Sequence, residues 1–277
     1  MNDTLERHMS KVPEVTLTFW IIKILATTLG ETGGDALSMT MHLGYAVSTL
    51  IFFAFFAIVA IWQVRAKTFN RFLYWAVIVA TTTVGTTMAD FADRSLGIGY
   101  VGGSSLLFTA LLLILGVWWL SVGSVSVSDI HTPKVELFYW VTILFSNTLG
   151  TALGDFLADT SGLGYGGGAI VFSIALLVLA VVYFKTAISR TFLFWAAFIL
   201  TRPLGATVGD LLTKPFASGG LHFSRITSSL ILVGGMLTCI LVFTSTRPGG
   251  TTPKRSELTT NGSTPNSKEA RHVGVRK

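Results

Sequence analysis

Four aspartates stand at equivalent positions in four related segments of the chain, and carboxylates in such a pattern can bind cations or carry protons. They are Asp35, Asp90, Asp155 and Asp210. Carboxylate oxygens suit hard cations such as Mg²⁺, Ca²⁺ or Mn²⁺. Like charges held close together resist simultaneous ionisation, which favours proton binding. The pattern therefore predicts a site for cation or proton handling. Capping of helix ends is the structural alternative.

Other polar residues extend the pattern along the same segments. Most recur every fourth residue, which places them on one face of a helix. The additional candidate residues for ion binding or transport are Glu31, Asp93, Asn147, Asp159 and Arg202. Arg202 precedes Pro203, which should kink or break its helix. A buried ion pair with an aspartate is an equal alternative for Arg202. Lys23 lies near a helix start, from which its ammonium should extend to the membrane surface.

The segments that carry these residues are copies of one unit. Aligned on tryptophan, they read WIIKILATTLGETGGD from Trp20, WAVIVATTTVGTTMAD from Trp75, WVTILFSNTLGTALGD from Trp140 and WAAFILTRPLGATVGD from Trp195. Agreement at the same offsets indicates tandem repeats. Each tryptophan opens its segment beside other aromatic residues and is interpreted as an interface anchor. Each unit also has a glycine followed four positions later by a small residue, a spacing typical of helix packing in membranes. These glycines are Gly30, Gly85, Gly150 and Gly205.

Composition places the repeats in a membrane. Hydrophobic residues make up 51% of the chain, and the mean hydropathy is +0.65. Apolar stretches of about 18–22 residues match a hydrocarbon core of roughly 30 Å. We therefore expect an all-α integral membrane protein with eight transmembrane helices. They would form four parallel two-helix repeats with pseudo-twofold or pseudo-fourfold symmetry. The expected membrane domain is 17–245, with repeats at about 17–65, 72–121, 137–185 and 192–245.

Basic residues give the expected orientation. Eight Lys and Arg residues precede the first helix or join successive repeats, and seven follow residue 245, which makes 15 of the 20. The positive-inside rule makes this side cytoplasmic. Residues 1–16 would then be a cytoplasmic segment without a removable signal peptide. Residues 246–277 would be a disordered, basic cytoplasmic tail. Cys239 is the single cysteine, so no intramolecular disulfide or thiolate metal cluster is expected.

Four tandem repeats, each with two membrane segments and one tryptophan, resemble a bacterial family of membrane proteins built from a repeat of unknown function. The resemblance covers about residues 17–245 and is carried by Trp20, Trp75, Trp140 and Trp195. It implies this architecture and the bacterial inner membrane, and it implies no activity.

The residues themselves favour a transporter or channel for a cation, with proton coupling as one form of it. The alternative is a non-transporting scaffold or sensor whose polar stripes serve helix packing. Catalysis is not expected, because no Ser/His pair or HExxH motif is present and nucleotide-binding signatures are absent. The expected partners are the lipid bilayer and a cation substrate, with no nucleic acid and no cofactor. The sequence does not identify a metal.

Overall fold

The computed structural model describes residues 11–130 and 132–243. The expected disordered tail therefore lies outside the described residues. The described chain contains eight long α-helices and no β-strand, which confirms the all-α prediction for this part of the protein. The helices are α1 Leu17–Asp35, α2 Gly44–Arg65, α3 Arg71–Asp90, α4 Gly99–Val122, α5 Pro133–Asp155, α6 Gly164–Lys185, α7 Arg190–Thr213 and α8 Arg225–Phe243.

Seven helices, α2 to α8, are long and apolar enough to cross a membrane. They make the chain a multi-pass membrane protein. Helix α1 is not among the seven, and its 19 residues carry Lys23, Glu31 and Asp35. These charges lower its mean hydropathy, although it is close to the others in length.

The odd-numbered helices form an inner ring, and the even-numbered helices pack around it. In the ring, α1 packs on α3, α3 on α5, α5 on α7, and α7 on α1. Each outer helix packs mainly on the inner helix of the following repeat, and α8 completes the order by packing on α1. Large apolar side chains are exposed on the outer helices, among them Leu50, Leu113, Leu177 and Leu230. A continuous apolar surface of this kind suits contact with lipid.

The inner and outer helices begin in different ways. Each inner helix has a side-chain N-cap that accepts a hydrogen bond from its first turn. The caps are Thr16, Asn70, Thr132 and Ser189. Three outer helices instead begin at a glycine with positive φ, at Gly44, Gly99 and Gly164. Glycine adopts this conformation without a steric penalty, which allows the chain to reverse sharply between the two layers.

Small residues allow the inner helices to approach closely at one level. A Cβ added at Gly30 would lie 2.3 Å from Thr82 Oγ1 on α3, and one added at Gly205 would lie 2.3 Å from Thr27 Oγ1 on α1. The two remaining contacts pair Gly85 with Asn147 and Gly150 with Arg202. Every glycine thus faces the residue seven positions after the tryptophan of the next repeat. A side chain at any of the four glycines would force atoms of the neighbouring helix to shift.

Aromatic residues form a second ring near the N-terminal ends of the inner helices, which we call the tryptophan end. The residue before each tryptophan packs on the tryptophan of the next repeat, with ring centroids 5.4 to 6.2 Å apart. The pairs are Phe19–Trp75, Tyr74–Trp140, Tyr139–Trp195 and Phe194–Trp20. The hydroxyls of Tyr74 and Tyr139 are also hydrogen bonded at 2.6 Å. This layer closes the ring at its tryptophan end.

Three of the four predicted interface anchors differ in exposure from the prediction, and the fourth, Trp20, is partly buried. Trp75, Trp140 and Trp195 are buried, whereas an anchor in the interfacial belt exposes its indole. Position near a helix end does not determine which side of the helix a residue occupies. Here the large apolar area of the indoles is buried against an aromatic residue of the preceding inner helix.

Helix geometry changes directly after the aspartates. Helices α1, α3 and α5 each continue into a five-residue π-helical turn, at Ala36–Thr40, Phe91–Ser95 and Phe156–Thr160. Such turns are frequent at functional sites. In the fourth repeat α7 ends at Thr213 instead.

Helix α7 continues through Pro203, so the predicted break is absent. The proline lies against Gly150 and Gly154 of α5, where small residues leave room for its ring.

The close contact between helices yields a stability prediction. We expect Gly205→Ala to lower the free energy of unfolding by about 1–3 kcal/mol, because the new methyl group would overlap the α1 backbone at Thr27. Thermal unfolding of the purified protein in detergent measures the change. Gly116→Ala is the matched control, because Gly116 is helical and exposed with open space around it. Equal melting temperatures for the two variants would show that the inner ring is loosely packed.

Candidate functional site

The four repeat aspartates are buried where the inner helices end, at what we call the aspartate end, and a basic residue joins the first to the fourth. Lys214 Nζ lies 2.9 Å from Asp35 Oδ2 and 3.1 Å from Asp210 Oδ1. Arg225 Nε lies 3.4 Å from the same Asp35 oxygen. Glu31 lies one helical turn before Asp35. We call these five residues the Lys214 cluster.

The second and third aspartates are joined in the same way. Arg94 Nε lies 3.0 Å from Asp90 Oδ1, and its Nη2 lies 3.5 Å from Asp155 Oδ2. Asp159 is 3.9 Å from the same nitrogen and accepts a hydrogen bond from Tyr100 Oη at 2.9 Å. We call these residues the Arg94 cluster. The four aspartates therefore lie in two ion-paired clusters.

The two bridging residues, Arg94 and Lys214, occupy equivalent positions in their repeats. Each follows an aspartate of its own repeat by four residues, one turn along the polar stripe, and pairs with the aspartate of the next inner helix. The corresponding residues of the first and third repeats are Met39 and Asp159. The bridges occur in alternate repeats only. Our list of candidate residues omitted Lys214 and Arg94, although the four-residue spacing already placed them on the stripe.

Lys214 is held by the loop that follows α7. The backbone N–H of His222 donates to the Lys214 carbonyl at 3.0 Å, and that of Leu221 donates to the Leu211 carbonyl at 2.7 Å. Gly220 passes so close to the Lys214 carbonyl that no Cβ could be accommodated there. The loop thereby caps the end of α7 and fixes the backbone from which the ammonium extends.

The charge of Lys214 is favoured by its surroundings. Burial lowers the pKa of its ammonium, but the carboxylates of Asp210, Asp35 and Glu31 have the larger combined effect, and the pKa lies above that of a free lysine. A raised pKa in the folded state means that protonation of Lys214 contributes fully to stability below about pH 10, the range of a free lysine, wherever its carboxylate partners are ionised. That contribution is lost only as the pH rises through the folded-state pKa.

Two further basic side chains, those of Lys23 and Arg202, cross the middle of the ring. Lys23 on α1 donates to Asn147 Oδ1 on the opposite helix, α5, at 3.2 Å, and its Nζ lies 4.0 Å from the centroid of the Phe198 ring. Arg202 on α7 donates from Nη2 to Thr86 Oγ1 on the opposite helix, α3, at 2.5 Å. Both cations are fully buried. Lys23 therefore does not extend to the surface as we predicted, because the aromatic layer closes that end of the ring.

One carboxylate, that of Glu31, lies in this central region. Glu31 Oε2 lies 3.0 Å from Arg202 Nη2, and also accepts a hydrogen bond from Thr86. The buried ion pair that we considered for Arg202 is therefore present, with Glu31 in place of an aspartate. Lys23 has no carboxylate at ion-pair distance within 11–130 and 132–243. We call Lys23, Asn147, Arg202, Glu31 and Thr86 the central cluster.

Asp93 is separate from all of these groups. Its buried carboxylate lies against Gly103 at the start of α4, and neither oxygen has a hydrogen-bond partner among the residues that the structure describes. The other sequence-predicted candidates all belong to the Lys214, Arg94 or central cluster.

The Lys214 cluster has the donor set that a metal ion would require. Glu31, Asp35 and Asp210 offer carboxylate oxygens that all lie within 4.8 Å of one another. Three carboxylates suit a hard cation. In this structure the ammonium of Lys214 supplies the positive charge between two of them.

The arrangement defines a class: an α-helical, multi-pass membrane protein made of tandem two-helix repeats, with charged residues buried inside. The chain matches the family described as Repeat of Unknown Function (DUF347) four times, over residues 18–69, 73–124, 138–189 and 193–248. It belongs to this family, which confirms the resemblance seen in the tryptophan repeats. No curated protein and no solved structure matches the chain.

The bridging role of Lys214 can be tested by removing its charge. We expect Lys214→Met to lower the free energy of unfolding by about 3 kcal/mol, because Asp35 and Asp210 would stay buried with less compensating charge. Thermal unfolding in detergent is the measurement. Adding Asp210→Asn to this variant should recover part of the loss.

Lys185→Met is the control for the same experiment, since Lys185 is exposed at the end of α6. It should unfold like the wild type. A Lys214→Met protein as stable as this control would contradict the bridging role.

Proposed function

We propose that the protein is a transporter or channel for cations, with or without coupling to protons, and that its path follows the axis of the inner ring. One observation carries the proposal: every repeat buries an aspartate at the same end of that ring. Ionisable residues inside a membrane bundle are expensive and typically mark ion paths or proton relays. The proposal assigns no catalytic step to the protein.

The two ends of the ring suggest how such a path would be controlled. The aromatic layer fills the tryptophan end, and the Lys214 and Arg94 clusters join the inner helices at the aspartate end. We interpret this as a closed conformation in which Lys214 and Arg94 take the places of cations. Entry of a cation from the aspartate end would require displacing one of these side chains.

The proposed topology has eight membrane crossings, which requires α1 to cross as well. Its 19 residues would span about 28 Å as an α-helix. Its charges are compatible with a crossing because Lys23, Glu31 and Asp35 all contact other inner helices, and not lipid. We place both termini in the cytoplasm of a bacterial cell and the aspartate end outside its inner membrane, as the distribution of basic residues indicates.

The repeats would be related by an axis along the membrane normal. The glycine and aromatic contacts recur between all four neighbouring pairs of inner helices, which supports a pseudo-fourfold arrangement of the backbone. The bridging cations are present in alternate repeats only, which supports a pseudo-twofold arrangement of charge. Duplication of a pair of repeats would produce both patterns.

A membrane scaffold or sensor is the second candidate, and a specific observation favours it. Each repeat aspartate already has a basic partner within 3.5 Å, so its burial is compensated without a substrate. Buried ion pairs of this kind can specify helix register without adding much stability. In this case the polar stripes would serve packing alone.

Ion flux into proteoliposomes separates the two candidates. Reconstituted protein would be exposed to proton, alkali-cation and divalent-cation gradients, alongside Asp90→Asn and Asp155→Asn variants. We expect flux in the wild type and at least a tenfold loss in variants that still fold, because the path would lose a carboxylate. Glu14→Gln is the control, because Glu14 is an exposed carboxylate outside the ring. No flux under any gradient, with both aspartate variants unfolding early, would establish the scaffold instead.

A further inference from the structure

Three carboxylates of the Lys214 cluster lie around the position of one ammonium group. Oxygens of Glu31, Asp35 and Asp210 are all within 4.8 Å of one another, close enough for a single ion to contact all three. The ammonium of Lys214 already lies 2.9 Å from Asp35 and 3.1 Å from Asp210. The space that an ion needs is therefore the space that this ammonium fills, and no separate cavity is required.

Asp35 has a free oxygen at this position. Its Oδ2 contacts both Lys214 and Arg225, whereas its Oδ1 is buried and has no hydrogen-bond partner among the described residues. A buried carboxylate oxygen without a partner has lost its hydration and gained no bond in exchange. Because Oδ1 belongs to the same carboxylate as Oδ2, it is a ligand for an ion that takes the place of the ammonium.

The balance of charge in the cluster selects an ion of unit charge. Glu31 is paired with Arg202 at 3.0 Å, and Asp35 is paired with Arg225 at 3.4 Å. Among the residues that the structure describes, Asp210 pairs with the ammonium alone. Departure of the ammonium would leave one buried negative charge without a partner, which is costly. A monovalent cation restores the balance, whereas a divalent cation would leave an excess of positive charge.

The side chain of Lys214 can leave this position while the backbone stays in place. Helix α7 ends at the residue before it, and the Lys214 carbonyl accepts its hydrogen bond from the N–H of His222 whatever the side chain does. One tenth of the side-chain surface is exposed. A lysine ammonium is carried on a flexible aliphatic chain. Rotation about the bonds of that chain would move the charge towards water.

We propose that a monovalent alkali cation exchanges with the ammonium of Lys214 and binds to the carboxylates of Glu31, Asp35 and Asp210. Oxygen atoms are the ligands that hard cations take. The proposal rests on the cation path proposed above, for which it names the class of substrate. Lys214 is then a tethered competitor of that substrate, which occupies the site whenever the ion is absent.

Cation-dependent unfolding of Lys214→Met tests the proposal, because this variant vacates the position of the ammonium. Detergent-purified protein would be melted in sodium, potassium, magnesium and choline chloride at equal ionic strength, since choline is too large for the site. We expect sodium or potassium to raise the melting temperature of the variant by about 4 °C relative to choline, as binding to the folded state should do. The wild type should shift by less than about 1 °C, because its own ammonium fills the site.

Arg94→Met is the matched control, since it also removes a bridging cation but leaves the Lys214 cluster intact. It should show no shift that is specific to alkali cations. Equal melting of Lys214→Met in all four salts would overturn the proposal, as would an equal gain in Arg94→Met. A larger gain in magnesium chloride than in either alkali chloride would overturn the assignment of unit charge.

Amine labelling of the wild type decides the question should Lys214→Met fail to fold. Exchange would release the amine of Lys214 to an acetylating reagent, and mass spectrometry measures the extent of modification at each lysine. We expect acetylation of Lys214 to be about threefold faster or more in sodium or potassium chloride than in choline chloride. Acetylation of Lys185, which is exposed, should be the same in each salt. Equal labelling of Lys214 in all salts would overturn the proposal.

The site and the path fail separately in these experiments. Alkali-dependent melting of Lys214→Met without ion flux in proteoliposomes would support the site and remove the path. Ion flux without alkali-dependent melting or labelling would overturn the site and leave the path.

Discussion

Charge buried inside a membrane bundle is the constraint to which the rest of this structure conforms. Of the 20 Lys and Arg residues, 15 were assigned to the side of the termini by sequence, and the other five belong to the inner ring or its adjoining segments. These are Lys23, Arg94, Arg202, Lys214 and Arg225. Four of them, all except Lys23, are ion-paired with carboxylates at 2.9 to 3.5 Å. Such pairs require inner helices that nearly touch, which explains the glycines: only small residues let a side chain on one helix reach the helix opposite.

Packing and charge follow different periodicities around the ring. The glycine and aromatic contacts occur at all four junctions between inner helices, whereas a cation bridges the aspartates at only two. At the other junctions the equivalent residues are Met39 and Asp159. The backbone could therefore be built from four copies of one unit, but the chemistry depends on what distinguishes alternate copies. The central cluster departs further still, since Lys23 and Arg202 each occur in one repeat.

The sequence predicts the helices, the repeats and the family because these depend on composition and on spacing along one chain. It also places the polar stripe on one face, since a period near four is a property of a single helix. It does not predict which neighbour a face meets. For that reason the sequence could not show that Trp75 turns inward, that Lys23 crosses the ring or that each outer helix packs on the next repeat. Pro203 fits without a break because α5 presents Gly150 and Gly154 to it, which is again a property of the partner helix.

The two aspartate clusters differ in how readily they could exchange their cation for another. The guanidinium of Arg94 contacts three carboxylates through its Nε and Nη2, a geometry that a spherical ion does not reproduce. Lys214 presents a compact ammonium on a flexible chain, and it pairs with two of three carboxylates that lie within 4.8 Å of one another. A cation entering there would need to displace only this one ammonium from between the carboxylates. If cations pass through this protein, the Lys214 cluster is therefore the cheaper place for them to bind, and the Arg94 cluster is better suited to hold the helices together.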